Sequence, residues 1–269
     1  MLEFGHQQCL KLEKKPTDFI ELFIRLKNED EAFKFYHYVH NILDEDMGKL
    51  SAFEYFGENC LNYMINKEQL FTDGCDVAIY MQIPVIKNLS DDIEKWYNII
   101  SDSGIINKDN QIISLNEPQN WKTFFEARHS MPAKALEKTK ELDAISIITD
   151  TIVPYENFNQ FVKFSHNILQ QNNIEYLLFG HLGDCHLHFH VIYKKEEAPI
   201  INDIYQKIIR KSAKLNGVYS AEHGTGKRKT IDFFECYGQE AVNQVRDCKL
   251  AFDPNNILNK GNIITIKEA

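Results

Sequence analysis

Glycine is scarce in this sequence. The chain of 269 residues holds 12 glycines, about 4.5% against the roughly 7% of average usage. They also stand apart, the closest pairs being Gly180/Gly183 and Gly224/Gly226. Where a dinucleotide fingerprint beginning at Gly224 requires its third glycine, the chain has Lys229, and no G-x-x-x-x-G-K-[ST] run occurs. A phosphate-cradling glycine loop is therefore not expected within this chain.

Other shortages narrow the function class. Lys and Arg number 30 against 39 Asp and Glu, for a net charge of −9. Neutralising a phosphate backbone needs an excess of cations, so nucleic acid is not an expected partner, and the tract Lys227-Arg228-Lys229 is too short to change that. No apolar run reaches the ~18 residues of a membrane span. The opening MLEFGHQQCLKLEKK lacks the charged-then-apolar pattern of a secretory signal. Six cysteines, Cys9, Cys60, Cys75, Cys185, Cys236 and Cys248, fall at wide, irregular intervals without a C-x-x-C. Neither a disulfide scaffold nor a zinc ribbon is indicated, and a reducing cytoplasm is the expected compartment. With seven prolines, no linker divides the chain.

What is present is an alternation of strand-like and helix-like stretches. Residues 17–27 read as a strand, 29–44 as an amphipathic helix, then 51–56 and 76–83 as strands. Ser90 is the expected cap of the next helix, whose Ile93, Trp96, Tyr97 and Ile100 form a stripe ending before Gly104. The rhythm repeats: a helix through NWKTFFEARHSM, an extended AISIITD, and a helix after Pro154 that aligns Phe158, Phe161, Val162, Ser165 and Leu169. Strands at 176–182 and 186–193 follow, then a helix over about 200–216 closed by Gly217 at C′. The order predicts an α+β fold of two ferredoxin-like βαββαβ units packed into one domain.

Four of the ten histidines crowd into GHLGDCHLHFH: His181, His186, His188 and His190. Side chains at i, i+2 and i+4 of a strand share a face, so the last three point one way. With Gly183-Asp184 as a two-residue hairpin turn, His181 pairs opposite His186 and joins them. Leu187, Phe189 and Val191 take the opposite, core-facing side. A strand with a purely structural role more often presents Thr, Lys or Glu; convergent imidazoles point to a metal or catalytic site. Parity turns Cys185 away from His186, which leaves it out of the site.

Further along, SAEHGTGKRK sets Glu222 beside His223. Glu222 can complete a two-histidine, one-carboxylate metal site with His181 and His188, leaving positions open for substrate. Neighbours in an extended segment point oppositely, so His223 is either a base or a solvated loop residue. Arg128 is either a bidentate clamp for a carboxylate or a surface helix charge. His37 and His40, without a specified carboxylate partner, read as structural.

The segments FGHLGDCHLHFHVIY, GVYSAEHGTGKRK and KLAFDPNNILNKGNII resemble, in order and spacing, the C-terminal part of the FAD-linked oxidases, the family of D-lactate dehydrogenases, the glycolate oxidase large subunit and D-2-hydroxyglutarate dehydrogenase. The three motifs cover about a third of the chain. The resemblance implies that residues 1–269 form a substrate-binding cap domain and that the FAD-binding domain is absent from this chain. It implies a zinc or manganese ion on His181, His188 and Glu222, His223 as base, and Arg128 on the carboxylate of a small 2-hydroxy acid. It also puts His190 where the family has an asparagine near the substrate. His186 replaces an asparagine, Cys185 a glycine, and Lys260 a proline of the family pattern, while Pro132 and Ile148 stand at positions that are polar in the hydroxyglutarate enzymes. These last two favour a small substrate such as lactate.

The expected activity is thus that of an FAD-dependent 2-hydroxy-acid dehydrogenase, with this chain inactive alone. Its partners are the substrate and an FAD-binding domain or subunit, and its location cytoplasmic or peripheral to the inner membrane. Alternatives are a non-catalytic metal-binding cap paired with a separate flavin subunit, and a metal-dependent hydrolase.

Overall fold

The computed structural model describes residues 15–71, 74–106 and 111–266; Cys9 lies outside them. Two compact units are present, one made of Lys15–Ile148 with Leu169–Ala198, the other of Thr149–Ile168 with the residues from Pro199 onward.

The larger unit is built on a seven-stranded sheet. Its strands are β1 (Phe19–Leu26), β2 (Ala52–Phe56), β3 (Val77–Pro84), β4 (Ile112–Ser114), β5 (Ile145–Ile148), β6 (Tyr176–His181) and β7 (His186–Tyr193). They lie in the order β4-β1-β3-β2-β6-β7-β5, and every pairing is antiparallel. The helices are α1 (Glu29–Leu43), α2 (Lys67–Leu70), α3 (Leu89–Asp102), α4 (Pro118–Glu141), α5 (Tyr155–Gln171), α6 (Ala198–Lys214) and α7 (Thr230–Phe252).

The first run, β1-α1-β2-β3-α3-β4, inserts β3 between the two strands that α1 connects, as a split βαβ does. The second run, β5-α5-β6-β7-α6, repeats the device by placing β7 between β5 and β6. The expectation of two βαββαβ units is met in the first and shortened in the second. After α6 the glycine-punctuated chain forms isolated bridges, Ile152 to Val218 and Asp150 to Ser220, instead of a further named strand.

Sheet parity decides which residues face which helix. Phe35 and Tyr36 of α1 meet Phe53, on one face. On the other, Phe124 of α4 meets Phe23, Phe56 and Tyr80 at ring-centroid distances of 5.6, 6.2 and 4.7 Å. Burying an aromatic ring of this size contributes about 1.5–3 kcal/mol, so this cluster anchors α4 on the sheet. Glu54 lies two residues before Phe56 in β2, and His181 is its cross-strand partner in β6. Both therefore share the α4 face.

Three local readings differ from the structure. The α3 cap is Asn88, whose side chain accepts from the Asp91 amide, rather than Ser90. That helix buries Trp96, Ile99 and Ile100 and leaves Ile93 and Tyr97 exposed, because its apolar stripe is rotated relative to the expected one. At the end of α6 the left-handed residue is Asn216, φ 59°, not Gly217. Gly217 answers a different need, since a Cβ there would collide with the Ile152 carbonyl oxygen and the Ser212 hydroxyl.

In the smaller unit, α7 ends on Asp253 of the third motif. Its carboxylate accepts from the Lys249 ammonium at 2.7 Å and from the amides of Ile257 and Leu258, both at 2.9 Å. Lys249 also donates to the Leu258 carbonyl at 2.7 Å. The bond from Lys249, followed by the two amides, holds the Asp253 carboxyl down to about 2. A carboxyl depressed on folding stabilises the native state above its unfolded pKa, and that contribution is lost as pH falls through the folded value. Asp253→Asn is therefore expected to be less stable than the parent at pH 7 and to converge on it between about pH 4 and pH 2. Urea titrations across that range check this; a difference that does not change with pH contradicts it.

Candidate active site

The β6–β7 hairpin sets four histidines in the expected register. His181 pairs with His186, Phe179 with His188 and Leu177 with His190. The turn itself is longer than Gly183-Asp184: a 3-10 turn over Leu182–Asp184 leads into Cys185, which is left-handed at φ 61°. One residue is added at each side of the two-residue loop, so parity and the His181–His186 pairing survive. Leu187, Phe189 and Val191 are buried on the opposite face. Cys185 lies buried with its Sγ 3.2 Å from the Tyr36 hydroxyl, away from the imidazoles as expected.

His181, His186 and His188 each offer a ring nitrogen within 4.8 Å of the other two. The rings of His186 and His188 are 4.5 Å apart, and His181 lies 5.6 and 6.1 Å from them. His186, one of the four convergent imidazoles expected from the sequence but not among the ligands that the resemblance implies, stands with the other two. Gly180 makes the approach possible. At φ +139° its position leaves no room for a side chain: a Cβ would meet the His186 carbonyl oxygen at 2.6 Å and the His188 Cδ2 at 3.0 Å. His190 lies further along β7, half-buried, with its ring 6.5 Å from that of Phe179; burial lowers its pKa.

Arg128 projects from α4 onto the same face. It is engaged by Glu54, donating from Nε at 2.8 Å and from Nη2 at 2.7 Å in a bidentate pair. The bond to Glu54 raises the guanidinium pKa against the opposing effect of burial. Glu54 Oε1 is also 3.7 Å from His181 Nδ1. Glu54 was not foreseen. An acid in the middle of the otherwise apolar strand AFEYF was the available signal, but its partner lies 74 residues away.

In the smaller unit a second group forms around Asp150, also not foreseen. Asp150 is fully buried and accepts from the Ser220 hydroxyl at 2.7 Å, the His223 amide at 3.0 Å, the Glu222 amide at 3.2 Å and the Lys229 ammonium at 2.8 Å. Lys229 also donates to the Ser220 hydroxyl at 2.9 Å. Wrapping two successive amides around one carboxylate bends the segment. Glu222 and His223 consequently do not point apart, as an extended chain would have them: His223 Nε2 is 3.3 Å from Glu222 Oε1. The His223 Nδ1 is 3.9 Å from Asp150 Oδ1. Carboxylate oxygens of Asp150 and Glu222 and a ring nitrogen of His223 all lie within 4.8 Å of one another.

Asp150 is thus the charge around which the Glu222-His223 loop is shaped. Replacing it by Asn keeps the side-chain volume but leaves the Lys229 ammonium, itself 16% exposed, without its anionic partner. Breaking a buried pair in this way costs roughly 3 kcal/mol. Chemical denaturation of Asp150→Asn is expected to show a loss of that order; unchanged stability contradicts the assignment.

These arrangements can be set beside known proteins. The family model described as FAD linked oxidases, C-terminal domain, matches residues 39–263. The chain is 32% identical over 139 residues to glycolate oxidase subunit GlcD of Bacillus subtilis, covering 51% of this chain and 29% of that protein. It is 24% identical over 271 residues to D-lactate dehydrogenase of Anaerostipes hadrus, covering 94% of this chain and 54% of the relative. Among solved structures, 4-ethylphenol oxidase from Gulosibacter chungangensis superposes with a TM-score of 0.63 at 16% identity, covering 96% of this chain and 56% of that one. p-Cresol methylhydroxylase gives 0.61 at 12% identity, with 95% and 54% covered. Those two likenesses concern the fold. The chain spans between about a third and about half of the length of these relatives. Among the described residues no helix is long and apolar enough to cross a membrane. With the family model matching most of its length, the chain belongs to the FAD-linked oxidases, through their C-terminal domain.

Proposed function

We propose that this chain is the substrate- and metal-binding portion of an FAD-dependent D-2-hydroxy-acid dehydrogenase, most like a D-lactate dehydrogenase. The reaction oxidises the C2 hydroxyl to a keto group, with flavin as the hydride acceptor. Family membership and the long match to a D-lactate dehydrogenase support the class. The observation that carries the site is the convergence of three hairpin imidazole nitrogens within 4.8 Å of one another.

That spacing and donor type fit a divalent ion, since ligand nitrogens about 2.0–2.1 Å from one zinc lie well within such a span. The proposed ligands of zinc or manganese are His181, His188 and Glu222. When bound, such an ion supplies Lewis acidity that lowers the pKa of the substrate alcohol. The flavin enters through the family alone. It is assigned to an FAD-binding domain or subunit outside residues 1–269.

The chain's own residues then divide the remaining work. His223 accepts the hydroxyl proton at a ring nitrogen. Its backbone is fixed on Asp150, and the Glu222 carboxylate 3.3 Å from Nε2 gives the protonated ring a counter-charge. Arg128 meets the substrate carboxylate. His190, in line with His188 on β7, contacts the rest of a small substrate; burial lowers its pKa, which favours the neutral ring.

His223→Ala, introduced into the flavin-containing assembly, is expected to reduce D-lactate oxidation by about 10²–10⁴-fold while metal content stays at the parental level. Near-normal turnover contradicts the role of His223.

A further inference from the structure

The Arg128–Glu54 pair carries one further step, which rests on the reading of Arg128 as the substrate's carboxylate clamp. A guanidinium has two kinds of edge that match a carboxylate: a side edge of Nε with one Nη, and an end edge of both Nη atoms. Glu54 takes the side edge, with Nε at 2.8 Å and Nη2 at 2.7 Å. Among the described residues these are the hydrogen bonds Arg128 makes. Glu54 is fixed in the middle of β2, paired to both β3 and β6, and its side chain is 10% exposed against 36% for Arg128. The acid is therefore the rigid member and the guanidinium is held against it, with the end edge left for a ligand.

The charge count sets the consequence. Arg128 and Glu54 cancel, so the first carboxylate on the end edge leaves the trio at a net −1. A second carboxylate on the same small molecule meets that charge and the Glu54 carboxylate, and among the described residues Arg128 is the cation bonded to Glu54, with the His181 ring 3.7 Å from Oε1 on its other side.

We propose that Glu54 is a specificity-determining residue: by occupying one edge of Arg128 and neutralising it, it restricts the site to 2-hydroxy acids with a single carboxylate and disfavours those with two.

The test uses the flavin-containing assembly with D-lactate and D-malate as probes. Glu54→Gln is expected to raise the malate-to-lactate ratio of kcat/KM by about tenfold, the size of one screened charge at several ångströms, with the change carried by KM for malate. Glu54→Asp, which restores the charge, is expected to keep the parental ratio. An unchanged ratio in Glu54→Gln, with both acids still oxidised, overturns the proposal. A parental assembly that oxidises neither acid overturns instead the dehydrogenase reading on which it rests. Should Glu54→Gln fail to fold, inhibition of the parent decides. Propionate is expected to inhibit D-lactate oxidation about tenfold better than succinate, with the gap narrowing as salt rises. Equal or tighter inhibition by succinate overturns the proposal.

Discussion

The antiparallel register of β6 on β7 is the constraint from which the site in the larger unit follows. His181 opposite His186, with His188 two residues on, puts three imidazoles on one face and Leu187, Phe189 and Val191 on the other. A slip of one residue would exchange the two faces of the strand and set the imidazoles where Leu187, Phe189 and Val191 are now buried. Burial of Leu187 and Phe189 to about their full extent therefore fixes the register and, with it, the histidine face. Gly180 permits the close approach, because no other residue type fits above the His186 carbonyl. Sequence, packing and chemistry are here one arrangement: the residues that stabilise the hairpin are those that orient its polar side.

Charge is handled in both units by the same physical device. A carboxylate removed from water is costly unless it is paired and hydrogen-bonded. Glu54 meets this with the bidentate fork of Arg128, and Asp150 with Lys229, Ser220 and two backbone amides. In each case the buried acid has no proposed contact with substrate. It fixes the direction of a group that does: the guanidinium in one unit, the Glu222-His223 loop in the other. On the proposed reading, specificity and proton handling depend on residues that lie behind the reacting groups.

The local periodicities of the chain carried much of this. The apolar run FIELFIRL, the stripe Phe158, Phe161, Val162, Ser165 and Leu169 and the alternating HLHFHVIY all occupy the elements their spacing predicts, and the family motifs lie in the matched region. What local spacing does not encode is pairing across distance. Glu54 and Arg128 are 74 residues apart, Asp150 and Ser220 are 70 apart, and neither pair leaves a pattern along the chain. The same holds for the bend at Glu222-His223, which depends on amides turned toward Asp150 and so defeats a rule that holds for extended strands. The misplaced helix signals have a simpler cause. Asn88 and Asn216 compete at the cap and the left-handed position with Ser90 and Gly217, and asparagine serves both roles well.

On the proposed reading, the hairpin histidines hold a divalent ion rather than fill a polar face. Elemental analysis of the purified protein beside its His188→Ala variant tests it most directly. About one zinc or manganese per chain is expected in the parent, with its loss from the variant and no change in the variant's circular dichroism. A parent that retains no divalent metal after equilibration with zinc or manganese, or a folded variant that retains as much as the parent, would contradict it.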